Sequence, residues 1–518
     1  MEKTAIQDLL SLAEQGNVEA QNDLGLCYVN GEGVDKNYKE AVKWLRAAAE
    51  QGHVAAQFNL GECHYYRKSV RDYTEAARWY RAAAEQGHAE AQFNLGRCYG
   101  RGKGVERDDT EIMRWYRAAA EQGHTEAQIN LGNYYDHTGN RAEAMKWYRL
   151  AAEQGDVRMQ RILGDAYSHG LNRSHDYYVS VVKQDYTEAV KWYRLAAEQG
   201  DTSAQYELGW CYENGRGVKN YKKAVKWYRL AAEQGEIRAQ VDLGNCYENG
   251  RGVKQNYKKA VMWYQRAAEQ EYNPARCKLG DFYYNIEQNY EKAMMWYQRA
   301  GRYHGAESGL GKIYYNEYNY EKAFSHFRSA AEWSDNADAR YGLGLCYMNG
   351  QGVEQDYTQA VKWFQAAAKQ GHAKAQFNLG NAYYKGEGIE QNYTEAVRWY
   401  RAAAEQEDTE AQYNLGGCYY HGQGVEQDYT EAAEWWRLAA EQGLAIAQFS
   451  LGVCYENGLG VEKDPSEAVK WYRLAAEQGD AKAQYNLGIC YENGLGVEKD
   501  SAEAARWIRL SEERTRIN

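Results

Sequence analysis

Residues 444–479 read LAIAQFSLGVCYENGLGVEKDPSEAVKWYRLAAEQG, and this stretch decides the fold because variants of it fill the chain. In its first part, small and apolar side chains recur at i, i+4, i+7 and i+8, the spacing of one stripe on a helix. These are Ala447, Leu451, Cys454 and Tyr455. The Asn457-Gly458-Leu459-Gly460 segment then predicts a turn, because glycine tolerates positive φ.

A second helix is predicted directly after this turn. Asp464 stands where an N-cap residue accepts from free N–H groups, Pro465 takes the first helical position, and Glu467 has the capping-box spacing. A buried stripe follows at helical spacing, formed by Ala468, Trp471, Tyr472 and Ala475. Gly479 predicts the end of the helix in a left-handed conformation. The stretch is therefore a helical hairpin.

Fourteen copies of this hairpin are found by aligning the Leu-Gly pair of the first helix, and we call its glycine the register glycine. The register glycines are Gly25, Gly61, Gly96, Gly132, Gly164, Gly209, Gly244, Gly280, Gly311, Gly344, Gly380, Gly416, Gly452 and Gly488. A glycine inside a helix costs about 1 kcal/mol against alanine. We therefore expect close contact between helices at these positions. A single hairpin cannot bury both of its stripes, so the copies must stack.

The pattern A-x-A-Q-x-x-L-G-x-C-Y-x-N-G-x-G-V, followed by D-Y-x-E-A-x-x-W-Y-R-x-A-A-E-Q-G, resembles the Sel1-like repeat family, a relative of the tetratricopeptide repeat. The resemblance covers nearly the whole chain. It implies an all-α fold, an α/α solenoid of about fourteen hairpins in a right-handed superhelix with 29 helices. It also implies a non-enzymatic scaffold or adaptor, without a cofactor, whose concave groove binds protein or peptide partners of unknown identity.

The predicted organisation divides the chain into four parts. Residues 1–16 form an N-terminal capping helix, and residues 17–270 form repeats 1–7. Repeat 5 carries a nine-residue insertion in its turn, at about 168–185, because 25 positions separate Tyr167 from Trp192 where regular repeats have 16. Residues 271–340 form the shorter, irregular repeats 8 and 9, a candidate hinge. Residues 341–518 form the regular repeats 10–14, closed by a C-terminal capping helix.

Composition argues against several classes of protein. Acidic and basic residues are interleaved and the net charge is −11, which does not favour nucleic-acid binding. No membrane span or signal peptide is visible, so we expect a cytoplasmic protein; export without a signal stays open. Nine of the ten cysteines stand two residues after a register glycine, where neighbouring copies lie too far apart for disulfides. We expect free thiols that pack as small hydrophobic side chains.

The candidate binding surface follows from a helical wheel of the first helix. Positions −6, −3, +1 and +4 from the register glycine point away from the core, and we call them the groove face. We expect it, with its flanking −2 asparagines, to line the concave groove. The candidate partner-binding residues are Tyr206, Trp210, Tyr341, Leu345, Met348, Phe377, Asn378, Asn381, Tyr384, Tyr413, Asn414, Tyr420, Phe449, Val453, Tyr485 and Ile489.

Each row also has a structural interpretation. Aromatic residues at −3 are equally suited to pack between neighbouring first helices, and −2 asparagines to bond the next helix. The +1 row is the most irregular, which suggests ligand recognition. His53, His88, His124 and His372 follow helix-ending glycines, which favours capping over metal binding.

Two alternatives to a scaffold remain. Cysteine-rich secreted relatives are often labelled β-lactamases, but no supported serine nucleophile or zinc cluster is present in the sequence. His169, His175 and Asp176 in the insertion lack a recognised metal-ligand spacing, so no metal site is predicted. The second alternative is a host-directed effector of a bacterium, which differs in location more than in mechanism.

Overall fold

The fold alternates two kinds of helix, and the computed structural model describes residues 3–170 and 183–517 of it. The helices that carry the register glycine are all 13 residues long. They are α2 (Val18–Asn30), α4 (Val54–Tyr66), α6 (Ala89–Arg101), α8 (Thr125–His137), α10 (Val157–His169), α12 (Thr202–Asn214), α14 (Ile237–Asn249), α16 (Asn273–Asn285), α18 (His304–Asn316), α20 (Ala337–Asn349), α22 (Ala373–Lys385), α24 (Thr409–His421), α26 (Ala445–Asn457) and α28 (Ala481–Asn493).

The second helices carry the tryptophan and tyrosine stripe. They are α3 (Tyr38–Glu50), α5 (Tyr73–Glu85), α7 (Asp109–Glu121), α9 (Arg141–Glu153), α11 (Tyr186–Glu198), α13 (Tyr221–Glu233), α15 (Tyr257–Glu269), α17 (Tyr290–Ala300), α19 (Tyr320–Trp333), α21 (Tyr357–Ala368), α23 (Tyr393–Ala404), α25 (Tyr429–Glu441), α27 (Pro465–Glu477) and α29 (Ser501–Ile517). A further helix, α1 (Lys3–Glu14), precedes the first repeat. The described residues thus hold 29 α-helices and no strand, which confirms the predicted all-α solenoid of helical hairpins.

The chain forms two units, Met1–Trp263 and Tyr264–Asn518, with the boundary inside α15. Within each unit, a first helix packs against its own second helix and against the second helix of the preceding repeat. The insertion predicted at about 168–185 lies mostly outside the described residues, as do His175 and Asp176. In the described part of the chain, no helix is both long and apolar enough to cross a membrane.

Helix starts follow the predicted caps with one correction. Asp464 accepts from the N–H groups of Ser466 and Glu467. The Asp464 N–H, however, donates to the Tyr455 carbonyl at 2.9 Å, so it does not need Glu467. The capping box is therefore wrong in its second half, because the end of the first helix supplies the acceptor. The expected histidine caps are confirmed, since each Nδ1 accepts from an N–H three residues later.

The turns need glycine for two reasons. Gly458 and Gly460 adopt positive φ of 72° and 68°, as does Gly479 at 89°. At Gly460, a Cβ would also overlap the carbonyl oxygen of Tyr429, which begins the second helix of the preceding repeat. The turn of one repeat therefore contacts the start of a helix in the repeat before it, and only glycine fits there.

A buried glutamine on the first helix links consecutive hairpins and is held by a second, exposed glutamine. Gln448 in α26 donates through Nε2 to the Ala440 carbonyl of the preceding second helix at 3.1 Å. Its Oε1 accepts from Gln478, at the end of its own second helix, at 2.8 Å. The same arrangement recurs through most regular repeats, for example at Gln57 and Gln86. Because buried amides must be hydrogen-bonded, these pairs fix how neighbouring hairpins stack.

The core is built from small side chains and thiols between the helices. The register leucines and the alanines of the second helices are almost fully buried. All ten cysteines are free and buried, as expected. Burial raises the pKa of the Cys98 thiol to about 11, so the thiol stays protonated and packs as a small hydrophobic side chain.

Candidate protein-binding site

The register glycine lets a large second-helix side chain lie directly on the first helix. A Cβ built on Gly380 would stand 2.6 Å from Tyr400 Cδ1. The same close approach occurs at the other register glycines from Gly25 to Gly209 and from Gly280 to Gly488, with Leu45, Phe327, Phe364, Trp436 or Ile508 replacing tyrosine in individual repeats. The predicted close helix contact is therefore confirmed, and the side chain that makes it is a second-helix residue that we call the contact residue.

In several repeats, the +1 residue of the groove face matches the chemistry of this contact residue. Tyrosine hydroxyls donate to polar +1 residues at 2.6–2.9 Å, in the pairs Tyr80–Glu62, Tyr148–Asn133, Tyr193–Asp165, Tyr297–Asp281 and Tyr400–Asn381. In two repeats whose contact residues have no hydroxyl, Phe364 and Ile508, the +1 residues are the apolar Leu345 and Ile489. The irregularity of the +1 row thus has an internal cause at these positions. The repeat of Phe327 is an exception, because its +1 residue is Lys312.

In two repeats, the acceptor of the tyrosine hydroxyl stands at +4 instead of +1. Trp210 and Val453 stand at +1 although their contact residues are tyrosines. In these repeats, a glutamate at +4 accepts the hydroxyl instead, Glu213 from Tyr228 at 2.8 Å and Glu456 from Tyr472 at 2.6 Å. Trp210 and Val453 therefore take no part in the hydrogen bond to the contact residue.

The −3 aromatics pack on the contact residues. Seven pairs have ring centroids 5.6–6.3 Å apart, namely Phe58–Tyr80, Phe93–Tyr116, Tyr206–Tyr228, Tyr341–Phe364, Phe377–Tyr400, Tyr413–Trp436 and Phe449–Tyr472. Tyr341 also stacks on His372, which caps the next first helix, at 4.6 Å. These contacts give the packing interpretation a physical basis. Tyr485 differs, because 51% of its surface is exposed.

Polar candidates also have partners within the chain. Asn414 Nδ2 donates to Asn381 Oδ1 at 3.2 Å, from one repeat to the one before it. The Tyr384 hydroxyl donates to Gln423 Oε1, in the inter-helix turn of the next repeat, at 2.6 Å. Tyr420 meets Tyr429 edge-on at 5.2 Å between ring centroids. Asn378 and Met348 are half-buried on the same face.

Tyr206 and Trp210, the two candidates in the first unit, line a cavity of about 700 Å³. Charged side chains from α10, α12 and α14 border it and pair with one another, Arg161 with Asp165 at 3.3 Å and Arg238 with Glu207 at 3.4 Å. Burial raises the pKa of Glu207, and the Asp165 charge raises it further. In the described part of the chain, no three His, Cys, Asp or Glu side chains are placed to hold a metal ion.

Comparison with known proteins follows the same repeat boundaries. The Sel1 repeat family model matches fourteen segments: 18–53, 54–88, 89–124, 125–156, 158–201, 202–236, 237–272, 274–302, 305–332, 337–372, 373–408, 409–444, 445–480 and 481–514. The chain belongs to the Sel1 repeat family. No curated protein sequence matches this Sel1 repeat chain.

Among solved structures, the Sel1 repeat chain is similar to c5321, a protective antigen of uropathogenic Escherichia coli strains. The identity is 33% over 99% of this chain and 94% of that chain, with a TM-score of 0.44. It is also similar to a Sel1 repeat protein from Oxalobacter formigenes, at 41% identity over 39% of this chain and 84% of that one, with a TM-score of 0.38.

Sequence reasoning missed two features of this surface. One is the match between +1 residues and contact residues, which needs the packed hairpin to be visible. The other is a group of cations in repeats 2 and 3, where RKSVR at 67–71 replaces the usual glycine turn. The departure from the repeat consensus was a signal that could have drawn attention to this segment.

Proposed function

We propose that this Sel1 repeat protein is a non-enzymatic scaffold that binds a protein or peptide partner on its groove face. Helical repeats of this kind typically mediate protein–protein interaction, because a row of equivalent side chains offers an extended surface. Within that face, we place the contact in repeats 10–14, which hold fourteen of the sixteen candidate residues.

The observation that carries the proposal is the surface of repeats 13 and 14. Val453 is released from hydrogen bonding because Glu456 accepts the Tyr472 hydroxyl. In the repeat of Ile489, the contact residue is Ile508, which has no hydroxyl. Tyr485 exposes 51% of its surface, although aromatic residues at the same position are half-buried or buried in other repeats. Apolar side chains that stay accessible and serve no internal polar contact are suited to binding a partner.

A capture experiment with matched variants tests this proposal. The test variant is Val453→Glu with Tyr485→Ser and Ile489→Glu, and the control is Leu438→Ser with Leu474→Ser. Leu438 and Leu474 are each 44% exposed, but they lie on second helices outside the groove face. We expect a protein that is retained by the wild type and the control and lost from the test variant. Helical circular dichroism and the Tm must first show that both variants are folded.

Equal retention by all three proteins would reject the groove face of repeats 13 and 14. Loss from the control alone would place the contact on the second helices instead.

A further inference from the structure

The end of α4 and the end of α6 bring five cationic side chains together, and we call this group the basic cluster. Its members are Arg67, Arg71, Arg97, Arg101 and Lys103. They belong to repeats 2 and 3, far along the chain from the candidate residues in repeats 10–14. A cationic group of this size is unexpected in a chain whose net charge is −11.

Two neighbouring tyrosines hold the cluster in place. Arg97 donates to the Tyr66 hydroxyl at 3.1 Å, and Arg101 donates to the Tyr65 hydroxyl at 3.3 Å. The rings of these two consecutive tyrosines have centroids 4.7 Å apart. Arg71 is held at the same residue through the backbone, because it donates to the Tyr66 carbonyl at 3.3 Å.

The remaining two members lie at the edges. Lys103 Nζ lies 4.5 Å from the centre of the Tyr73 ring and donates to the Tyr73 hydroxyl at 3.3 Å. Arg67 follows Tyr66 directly and lies over the Tyr38 ring at 5.3 Å. The cations are thus spread along a surface that spans two repeats, rather than converging on one point.

Within the described part of the chain, the cluster forms no ion pair with a carboxylate, although Arg97 and Arg67 interact electrostatically with Glu62. Among the described residues, none of its five members lies within 4.0 Å of a carboxylate oxygen. Some arginines of the same repeats do, as Arg78 with Glu75 at 3.2 Å, whereas Arg81 donates to the Tyr99 hydroxyl instead. The Tyr66 hydroxyl and Asn94 Oδ1 accept from Arg97, and the Tyr65 hydroxyl accepts from Arg101, whereas a guanidinium has five donors. Donors and positive charge therefore remain available to a ligand.

We infer that the basic cluster binds an acidic peptide segment of a partner protein. An extended segment places alternate side chains about 7 Å apart, which suits cations spread along a surface. Charge-assisted bonds to carboxylates are the strong contacts that guanidinium groups make. Acidic residues interrupt the cluster's sequence segments at Glu62, Asp72 and Glu106, and Glu62 interacts electrostatically with Arg97 and Arg67. They limit its extent and disfavour a long polyanion such as nucleic acid, which needs a continuous basic surface.

This inference adds the chemistry of a second contact to the proposed scaffold function, and it has a separate test. Fluorescence anisotropy would follow a fluorescein-labelled hexaglutamate peptide binding to the full-length protein at low and at high salt. The test variant carries Arg67→Gln, Arg71→Gln and Arg101→Gln, all at exposed positions. The control carries Lys219→Gln, Lys222→Gln and Arg251→Gln, which are exposed in the same unit and remove the same charge.

We expect the wild type and the control to bind hexaglutamate alike and the test variant to bind about tenfold or more weakly, with affinity falling as salt rises. An equal loss in both variants would show that binding follows net charge, and would overturn the inference. So would the absence of binding by the wild type, or a preference for a single-stranded oligothymidylate over the peptide. None of these results affects the test of repeats 13 and 14, because that test uses other residues and a natural partner.

Discussion

The Tyr400 hydroxyl donates to Asn381 Oδ1 at 2.7 Å, from the second helix of a repeat to the groove face of its first helix. In the preceding repeat, Phe364 and Leu345 occupy the same two positions, without a hydroxyl or an acceptor. The two pairs fill the same contact between the helices of a repeat, one with a hydrogen bond and the other with apolar side chains. A residue that looks variable along the sequence is thus constrained by its partner in the hairpin.

This relationship predicts coupling between the two positions. Asn381→Leu leaves the buried Tyr400 hydroxyl without its acceptor, at a cost of about 1–3 kcal/mol. Adding Tyr400→Phe recreates the pair seen at Leu345 and Phe364 and should recover part of that loss. Thermal unfolding of the single and double variants measures the coupling. Strictly additive changes in Tm would contradict the assignment.

The two adjacent glycines of α24 predict opposite effects of alanine. A Cβ on Gly416 would stand 2.6 Å from the Trp436 ring, whereas a Cβ on Gly417 meets nothing within 4 Å. Gly416→Ala should therefore destabilise the protein by about 1–3 kcal/mol through overpacking. Gly417→Ala should stabilise it by up to about 1 kcal/mol through helix propensity. Chemical denaturation of the two variants is the measurement, and equal effects would refute the close contact.

Asp242 predicts a dependence on pH. Burial, and next the charge of Glu213, raise the pKa of Asp242 to about 6, while the Tyr206 hydroxyl and Arg238 act in the opposite direction. The folded-state pKa lies above the unfolded value of about 3.9. The folded protein therefore binds this proton more tightly than the unfolded chain does. Protonation of Asp242 contributes its full stabilising effect at low pH. That effect is lost as the pH rises from about 4 through about 6.

Asp242→Asn should consequently stabilise the protein at neutral pH, by up to roughly 3 kcal/mol. Asparagine already occupies this register position in six other repeats, for example at Asn94. The difference in Tm between the variant and the wild type, followed against pH, should be positive above about pH 6 and shrink toward pH 4. A difference that does not change with pH would show that Asp242 does not titrate in this range.

Much of the fold could be predicted from the sequence, because a 3.6-residue periodicity, glycine turns and N-cap residues repeat fourteen times. The boundaries of α26 and α27 follow directly from residues 444–479. The capping box at Glu467 was wrong because the competing acceptor, the Tyr455 carbonyl, belongs to another helix. Local sequence rules do not include such tertiary acceptors.

The site was less predictable for the same reason. A helical wheel gives the face on which Asn381 lies, but it cannot show that Tyr400, 19 residues later, bonds to it. The basic cluster likewise joins the end of α4 to the end of α6. Its members become neighbours only when the two hairpins stack, although RKSVR at 67–71 marks the departure from the repeat.

The most direct test of the proposed scaffold is photo-crosslinking from the groove face. A benzophenone side chain would be placed at position 485, on the groove face, or at position 474, on a second helix. The native residues there are comparably exposed, at 51% and 44%. After irradiation in lysate of the source organism, we predict a protein adduct from position 485 and none from position 474. An adduct from position 474 alone, or from neither position, would contradict binding at this face.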